Sequence, residues 1–302
     1  RGLKEFKDSK IRAKKKSSKS NKDIFDSLSI TRELEKSLTI HEELEKEKIR
    51  IRNIQKRKLQ KNILKGVFIA FIIVWVSYLF WLQKTFKVTD RAMQAMIQTP
   101  GISVVKQNNG SIDFVPQNAV KDTGIVIYPS EKVEPVSYAN MARLLAQKGY
   151  KVSILKLRLN QPDLSFGKGK DLMESKPDIK KWFILAHASG ASIAYKDALK
   201  NKNIKGFVFM GAVPEGDDLN LVNMPVLSIW GTNDGLLDFT RIKEAKKNLP
   251  SKSKYYAIEG GNSTNFADIE LVSGDEEAII SPEKQQARSV NKIAEFIDLN
   301  KN

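Results

Sequence analysis

WFILAHASGA, residues 182–191, opens with large apolar side chains and ends in small ones. The apolar run from Trp182 to Ala186 has no polar face, which is typical of a strand buried on both sides. From Ser189 onward, apolar residues recur at helical spacing as far as Leu199. The pattern therefore predicts a strand that enters a helix through a tight turn of small residues.

The same alternation of strands and helices continues from Gly124 to the C-terminal region. The predicted strands are residues 124–128, 152–157, 182–186, 204–210, 225–230 and 255–258, and the predicted helices are residues 136–147, 189–199, 240–248 and 282–299. Two alternating runs, 102–105 and 112–115, flank Asn108-Asn109-Gly110 and predict a hairpin before them. Apolar strands separated by amphipathic helices predict an α/β fold with a doubly wound, mostly parallel sheet.

Length and composition limit the architecture further. With 302 residues, of which 41% are hydrophobic, the chain can form one sizeable domain and an appendage. It has no cysteine, which excludes disulfides and thiolate metal sites. The net charge of +16 is concentrated at the N-terminus, where residues 1–65 contain 21 Lys and Arg against 10 Asp and Glu.

The basic N-terminal arm has two parts of different composition. Residues 1–22 contain few apolar side chains and a run of three lysines at 14–16, which predicts a flexible tail that contacts anionic lipid or a protein partner. Nucleic acid is the weaker interpretation, since Phe6 is the only aromatic residue in the tail. Residues 23–62 have no Gly or Pro and predict a long, charged, cytoplasmic helix, in which Thr39 and Glu42 have capping-box spacing. Either it is a solvated helix that continues into the membrane, or it docks another subunit.

A second apolar stretch begins at Gly66 and ends at Leu82. Its 17 residues carry no charge and would extend roughly 26 Å as a helix at ~1.5 Å per residue, which with Gln83 and the stem of Lys65 is enough to cross a bilayer. A buried core helix is the alternative, but no polar stripe interrupts the run. About sixty residues precede it, which argues against a cleavable signal peptide. Cationic residues are denser before the span than after it, so the positive-inside rule predicts a cytoplasmic N-terminus and an extracytoplasmic C-terminal domain.

These patterns divide the chain into five segments. They are a basic flexible tail (1–22), a charged helix (23–62), one transmembrane helix (63–83), a connecting helix or linker (84–101) and a C-terminal domain (102–302). Within the fourth segment, residues 85–99 predict a short amphipathic helix that ends before Pro100-Gly101.

Several stretches of the C-terminal domain together resemble a known family. In chain order, these stretches are IYPSEKVEPVSYANMARLLAQKGY, AHASGA, MPVLSIWGTNDG, EGGNSTNF and SPEKQQAR. They resemble, in the same order, the motifs of a bacterial α/β-hydrolase family, which are approximately FYPGG-VxPxxYxxLAxxLAxxGY, GHSLGG, LPVLSIxGTxDG, EGGNHxxF and a late E-x-QQ helix. The resemblance covers residues 102–297, about two thirds of the chain. It implies an α/β-hydrolase fold of esterase or lipase type, with AHASGA at the sharp strand-to-helix turn that presents the nucleophile.

The resemblance also implies which residues occupy the catalytic positions. It places the nucleophile at Ala188, the orienting aspartate at Asp234 and the histidine at Ser263. Ala188 has no oxygen to attack with, and Ser263 has no imidazole to accept a proton. The oxyanion loop, Gly-Gly in the family, is Ser130-Glu131 here, and a carboxylate would oppose a developing negative charge. We therefore expect a catalytically degenerate, membrane-anchored module that binds or assembles with protein partners, without a cofactor or a metal.

An active enzyme is the alternative, because Ser189 lies one residue beyond the apex and is a candidate for a shifted nucleophile. The chain has only two histidines, His41 in the arm and His187 before the apex, and we expect His187 to pack rather than to face a pocket. Ser189 is therefore interpreted first as a helix cap. A serine esterase or other acyl hydrolase with a non-standard site stays the second hypothesis.

Two acidic clusters lack the spacing of a calcium loop. They are Glu215 with Asp217-Asp218, and Asp275-Glu276-Glu277. We interpret both as solvated loops. Asp234 has a structural interpretation as well, in which its carboxylate braces the loop of residues 231–235.

Overall fold

The chain divides into two compact units, Arg1–Val76 and Ser77–Asn302. A computed structural model describes residues 2–118, 120–199, 201–213, 218–221 and 223–301, with residues 2–28, 198 and 218 described by their backbone alone. The second unit contains the sheet that the strand and helix pattern predicts.

Helix α1 (Gly2–Gln83) covers the predicted tail, charged helix and membrane span without an interruption, since no Gly or Pro lies between Leu3 and Lys65. Between Ser29 and Gln83 the helix has a window of mean hydropathy 2.3, which makes it long and apolar enough to anchor the protein in a membrane. The side chains of the basic tail lie outside the described residues, so the division into three segments stays a prediction. The predicted capping box is wrong, because Thr39 lies inside the helix and its hydroxyl donates to the carbonyls of Glu35 and Lys36.

One sheet of eight strands organises the second unit, in the order β1-β2-β4-β3-β5-β6-β7-β8. The strands are β1 (Ile102–Lys106), β2 (Ile112–Pro116), β3 (Thr123–Tyr128), β4 (Lys151–Ile154), β5 (Lys181–His187), β6 (Ile204–Met210), β7 (Val226–Gly231) and β8 (Lys254–Ile258). The β1–β2 hairpin is present, and β2 pairs antiparallel with β1 and β4 while all other pairs are parallel. The doubly wound, mostly parallel sheet predicted from the sequence is therefore confirmed.

Both faces of the sheet are covered. All six residues of β3 are buried, and because successive side chains point to opposite faces, Ile125 and Ile127 lie in one apolar core while Val126 and Tyr128 lie in the other. The helices are α2 (Asp90–Ala95), α3 (Ala139–Gln147), α4 (Lys168–Glu174), α5 (Ala191–Ala198), α6 (Asp218–Leu221), α7 (Phe239–Ala245) and α8 (Pro282–Asn300). α3 and α8 contribute to the first core, and α4 and α5 contribute to the second.

The structure differs from the predicted elements at several boundaries. The strand predicted to reach Leu157 ends at Ile154, although Leu157 is buried, because its side chain packs in the core without extending the strand ladder. The helix predicted for residues 85–99 is limited to α2. Val88 instead pairs with Ile269, and the N–H of Thr89 donates to the carbonyl of Asp268, so the connecting segment is attached to the domain before α2 begins.

Candidate active site at the carboxyl ends of the strands

The turn after β5 has the backbone of a nucleophile elbow. β5 ends at His187, and Ala188 has a φ of +43°, a left-handed conformation that costs free energy in a residue other than Gly. A Cβ on Gly190 would lie 2.4 Å from the carbonyl oxygen of Pro129, so only glycine fits there. A short 3-10 turn (Ala188–Gly190) then leads into α5. The sharp turn is present, and a methyl group stands at its apex.

His187 packs in the core, as its place before the apex predicts. It is 3% exposed, and its Nδ1 lies 2.8 Å from the Tyr138 hydroxyl. That hydroxyl accepts the N–H of Ser130, so its own proton is free to donate to Nδ1, which leaves the imidazole proton on Nε2. Burial lowers the pKa of His187 to about 4, against weaker opposing effects of the Ser263 backbone and the Asp275 charge. At neutral pH this histidine is an uncharged packing residue.

The loop after β3 carries the two residues at the oxyanion position, and protein atoms already occupy its backbone donors. The N–H of Ser130 donates to the Tyr138 hydroxyl at 3.0 Å, and the N–H of Glu131 donates to Ser189 Oγ at 2.9 Å. Ser189 Oγ also lies 3.1 Å from Ser130 Oγ. An oxyanion hole requires donors that point at the developing charge, and in this conformation both donors are engaged elsewhere.

Ser189 therefore does not have the role expected from its place in the sequence. It makes no side-chain cap at the start of the turn or of α5, so the prediction of a helix cap is wrong. The physical reason is that the β3 loop offers it the N–H of Glu131, a partner 58 residues away. The carboxylate of Glu131 is exposed, and what alters the site is the engagement of its backbone N–H.

Asp234 and Ser263 lie side by side where the resemblance places the aspartate and histidine. Both are buried, and Asp234 Oδ2 and Ser263 Oγ each lie 3.0 Å from the position that a Cβ on Gly211 would take. Asp234 Oδ1 accepts the N–H of Leu236 at 3.1 Å, whereas Oδ2 has no hydrogen bond of normal geometry among the described residues. The orienting carboxylate is therefore present, with a hydroxyl rather than an imidazole at position 263.

The carboxyl of Asp234 has a raised pKa, and burial is its main cause. Burial and, to a smaller extent, the charge of Asp275 raise the pKa of this carboxyl to about 7, against the opposing effects of the Leu236 N–H and the Ser263 hydroxyl. A histidine at position 263 would supply the positive partner that an ionised triad aspartate stabilises. Ser263 cannot supply that charge.

Asp275 corrects the prediction of a solvated acidic loop. Its Oδ2 accepts the N–H and the hydroxyl of Thr264 at 2.7 and 2.6 Å, and its Oδ1 accepts the N–H of Gly235 at 3.0 Å. It thus joins the loop after β7 to the loop after β8. Of the other cluster, Glu215 and Asp217 lie outside the described residues. Among the residues whose side chains the structure describes, no group of His, Asp and Glu could hold a metal ion.

The cavity beside the elbow is small. It measures about 70 Å³ and is lined by Ala188, Ser189, Ala191, Ser192, Tyr195, Phe209 and Val213. Pockets for small-molecule ligands usually measure roughly 300–1,000 Å³. As formed by the described residues, this cavity is several times smaller than a usual ligand pocket.

Sequence reasoning missed two residues that organise this region. Tyr138 joins the β3 loop to His187, and Gly211, with a φ of +55°, makes room for Asp234 and Ser263. Tyr138 stands in the motif IYPSEKVEPVSY, but its hydroxyl contacts are long-range and no local pattern indicates them.

Comparisons with known proteins agree with the fold. A model of the alpha/beta hydrolase family matches residues 124–287. Dienelactone hydrolase from Anabaena variabilis ATCC 29413 aligns at 15% identity with a TM-score of 0.51, covering 68% of this chain and 100% of that one. An esterase domain of a Rhodothermus marinus protein aligns at 10% identity with a TM-score of 0.50, covering 67% and 99%. At these identities the two structures support the fold alone, and no curated protein matches the sequence.

The eight-stranded sheet and the elbow after β5 define a protein of α/β-hydrolase fold. The matched region is more than half of the chain and includes all of β3 except its first residue, β4 to β8 and the elbow. The chain therefore belongs to the alpha/beta hydrolase family.

Proposed function

We propose that this chain is a membrane-anchored, catalytically degenerate α/β hydrolase whose domain serves as a binding or assembly module. The observation that carries the proposal is Ala188 at the apex of an intact elbow, with the left-handed backbone of a nucleophile and no nucleophilic atom. Sheet and helices are stabilised by packing that does not depend on catalytic side chains, so the fold can outlast the site.

Three further features support the loss of acyl transfer. The position of the general base is Ser263, whose hydroxyl is not a base at neutral pH. The N–H groups of Ser130 and Glu131 are engaged by protein acceptors. The cavity at the elbow measures only about 70 Å³. Nucleophile, base, oxyanion donors and substrate space are therefore all altered together.

In the part of the chain that the structure describes, an active esterase that uses Ser189 lacks a base. Within the described residues, Ser189 Oγ is bonded to Ser130 and to the N–H of Glu131. The nearest histidine in sequence, His187, is buried against Tyr138 and has a pKa of about 4. Among the described residues, Ser189 thus has no basic partner, and the loop N–H groups of Ser130 and Glu131 are not free to stabilise an oxyanion.

In the proposed topology, residues 66–82 cross the membrane once, the N-terminal arm is cytoplasmic and the hydrolase-like domain is extracytoplasmic. The charge asymmetry across the span supports this orientation. The partner is a protein held by the N-terminal helix or by the domain, most simply a subunit of a membrane complex. Anionic lipid is a second contact for the basic tail, through its Lys and Arg residues.

Two assays on the full chain in mild detergent test the proposal. Turnover of short-chain fluorogenic esters should equal that of a blank without protein, and a Ser189→Ala variant should give the same value. Co-purification read by mass spectrometry should return a partner in a fixed ratio, and deletion of residues 23–62 then distinguishes the helix from the domain as its binding site. Ester turnover that Ser189→Ala abolishes would overturn the degenerate assignment.

A further inference from the structure

The end of helix α1 is attached to the same loop that occupies the oxyanion position. The second unit includes the last turns of α1. In that unit, Lys132 Nζ lies 4.0 Å from the centre of the Trp81 ring, in cation–π geometry. The Lys132 carbonyl accepts the N–H of Phe86 at 2.9 Å, and the Thr85 hydroxyl donates to Glu134 at 3.3 Å. The loop after β3 therefore holds the chain where the apolar stretch ends.

This attachment leaves little slack. Phe86 packs against the first apolar core, and two residues later Val88 pairs with Ile269. Phe86 lies five positions after Trp81, and five residue steps extend at most ~18 Å. If residues 66–82 cross a bilayer, the surface of the domain near Lys132 lies at the lipid headgroups.

The next loop continues the same surface. The N–H of Lys132 donates to the carbonyl of Asn160 at 2.8 Å, within the segment of residues 156–168 that follows β4. This segment is internally ordered, because Ser165 Oγ accepts the N–H of Arg158 at 2.7 Å and donates to the carbonyl of Gln161 at 2.8 Å. Its side chains are therefore presented by a preformed loop.

The exposed side chains of this segment suit a membrane interface. Leu164 is 46% exposed and Phe166 is 51% exposed. The segment also carries three cationic residues and one carboxylate. Arg158 and Asp163 are exposed, whereas Lys156 and Lys168 are half-buried and donate to Asn160 Oδ1 and to the Lys156 carbonyl. Burial lowers the pKa of Lys168, and the charges of Arg158 and Lys156 lower it further, which reflects how closely these cations lie. Apolar side chains beside excess positive charge are typical of surfaces that rest on anionic lipid.

We propose that residues 156–168 form a lipid-binding surface that rests on the domain-facing leaflet of the bilayer crossed by residues 66–82 and binds anionic lipid there. Leu164 and Phe166 enter the boundary between headgroups and acyl chains, and Arg158 pairs with lipid phosphates. This inference depends on the proposed membrane span. Lys132 connects the surface to Trp81 at the end of that span, and this connection favours lipid over a protein partner. The vestigial site would then face the membrane rather than open solvent.

The absence of cysteine makes the test direct, since one introduced cysteine is the only label site. The full chain is reconstituted in vesicles of phosphatidylcholine and phosphatidylglycerol, with and without a lipid that carries a nitroxide quencher. A nitrobenzoxadiazole dye is placed at Leu164→Cys, at Leu299→Cys or at Val74→Cys. Leu299 is the matched control, an exposed leucine that lines a cavity with Pro225 and Tyr255 at the opposite ends of the strands. Val74 reports on the span itself.

The proposal predicts that lipid-borne nitroxide quenches the dye at position 164 and leaves the dye at position 299 unquenched. Arg158→Gln, which keeps the backbone bond to Ser165, should reduce quenching at position 164 more with phosphatidylglycerol than with phosphatidylcholine alone. Quenching at position 74 without quenching at position 164 would overturn the lipid surface and leave the span intact. No quenching at position 74 would remove the span and the lipid surface together. Equal quenching at 164 and 299 would mean non-specific adsorption and would also overturn the proposal.

Discussion

Asp234→Asn should make the domain more stable at alkaline pH and should change its stability little in acid. In the folded chain, burial and the nearby charge of Asp275 raise the pKa of Asp234 to about 7. An unfolded chain releases the same proton near a pKa of ~3.9. The folded state therefore binds more protons than the unfolded state between these two values, so its stability falls as pH rises from ~4 to ~7 and is constant above that.

The size of this effect follows from the difference between the two pKa values. About three pKa units at 1.36 kcal/mol per unit correspond to roughly 4 kcal/mol lost at about pH 8. For a domain of this length, each kcal/mol moves the unfolding temperature by ~2–4 °C, so Asp234→Asn should raise it by roughly 10 °C at about pH 8. An amide fits the same space and carries no charge to desolvate.

Thermal unfolding of the full chain in mild detergent, followed by Trp fluorescence, measures the effect from about pH 4 to about pH 8. Asp178→Asn is a suitable control, because Asp178 is an exposed carboxylate whose hydrogen bond to Lys151 holds its pKa below the ordinary value. The control should show a small effect of opposite sign, because Asp178→Asn removes a stabilisation that is present above about pH 4 and is lost in acid. Parallel curves for wild type and Asp234→Asn across this range would refute the assignment of a buried, uncompensated carboxyl.

Three other outcomes are expected. Ala188→Ser or Ser263→His alone should leave ester hydrolysis at background, because cooperating groups act as a unit. The double variant should give measurable turnover. Adding Ser189→Ala to the double variant should raise turnover further, because it frees the Glu131 N–H. Tyr138→Phe should lower the free energy of unfolding by about 1–3 kcal/mol in chemical denaturation, since the Ser130 N–H and His187 Nδ1 lose their hydrogen-bond partner. An unchanged denaturation midpoint would count against a stabilising role for these two hydrogen bonds. Protease added to intact cells should digest the domain after residue 82 and spare the N-terminal arm; protection of the domain would reverse the proposed orientation.

The fold was predictable because its signals are local. Four successive large apolar residues, Trp182 to Leu185, indicate a doubly buried strand, and the small residues after His187 indicate a sharp turn. α4 was missed because its sequence, KGKDLME, is short and mostly polar, and its helix is stabilised by burying Leu172 and Met173 against the second core. Tertiary packing, rather than local propensity, decides such an element.

The positions of Ala188, Asp234 and Ser263 were predictable from the motifs, but their environment was not. The contact of Ser189 with Glu131 joins residues far apart in the chain, and so does the bond between Tyr138 and His187. The raised pKa of Asp234 arises from burial and from a charge that a distant loop brings close. Such effects depend on how loops from different strands meet, and a single sequence carries no local pattern for them.

Labelling with a fluorophosphonate probe tests the central claim most directly, because the probe reacts with an activated serine whatever the natural substrate is. The full-length wild type in mild detergent is compared with Ser189→Ala and with the double variant Ala188→Ser and Ser263→His. We predict no labelling of wild type or Ser189→Ala and detectable labelling of the double variant, which also serves as the positive control. Labelling of the wild type that Ser189→Ala abolishes would contradict the account and establish an enzyme with a shifted nucleophile.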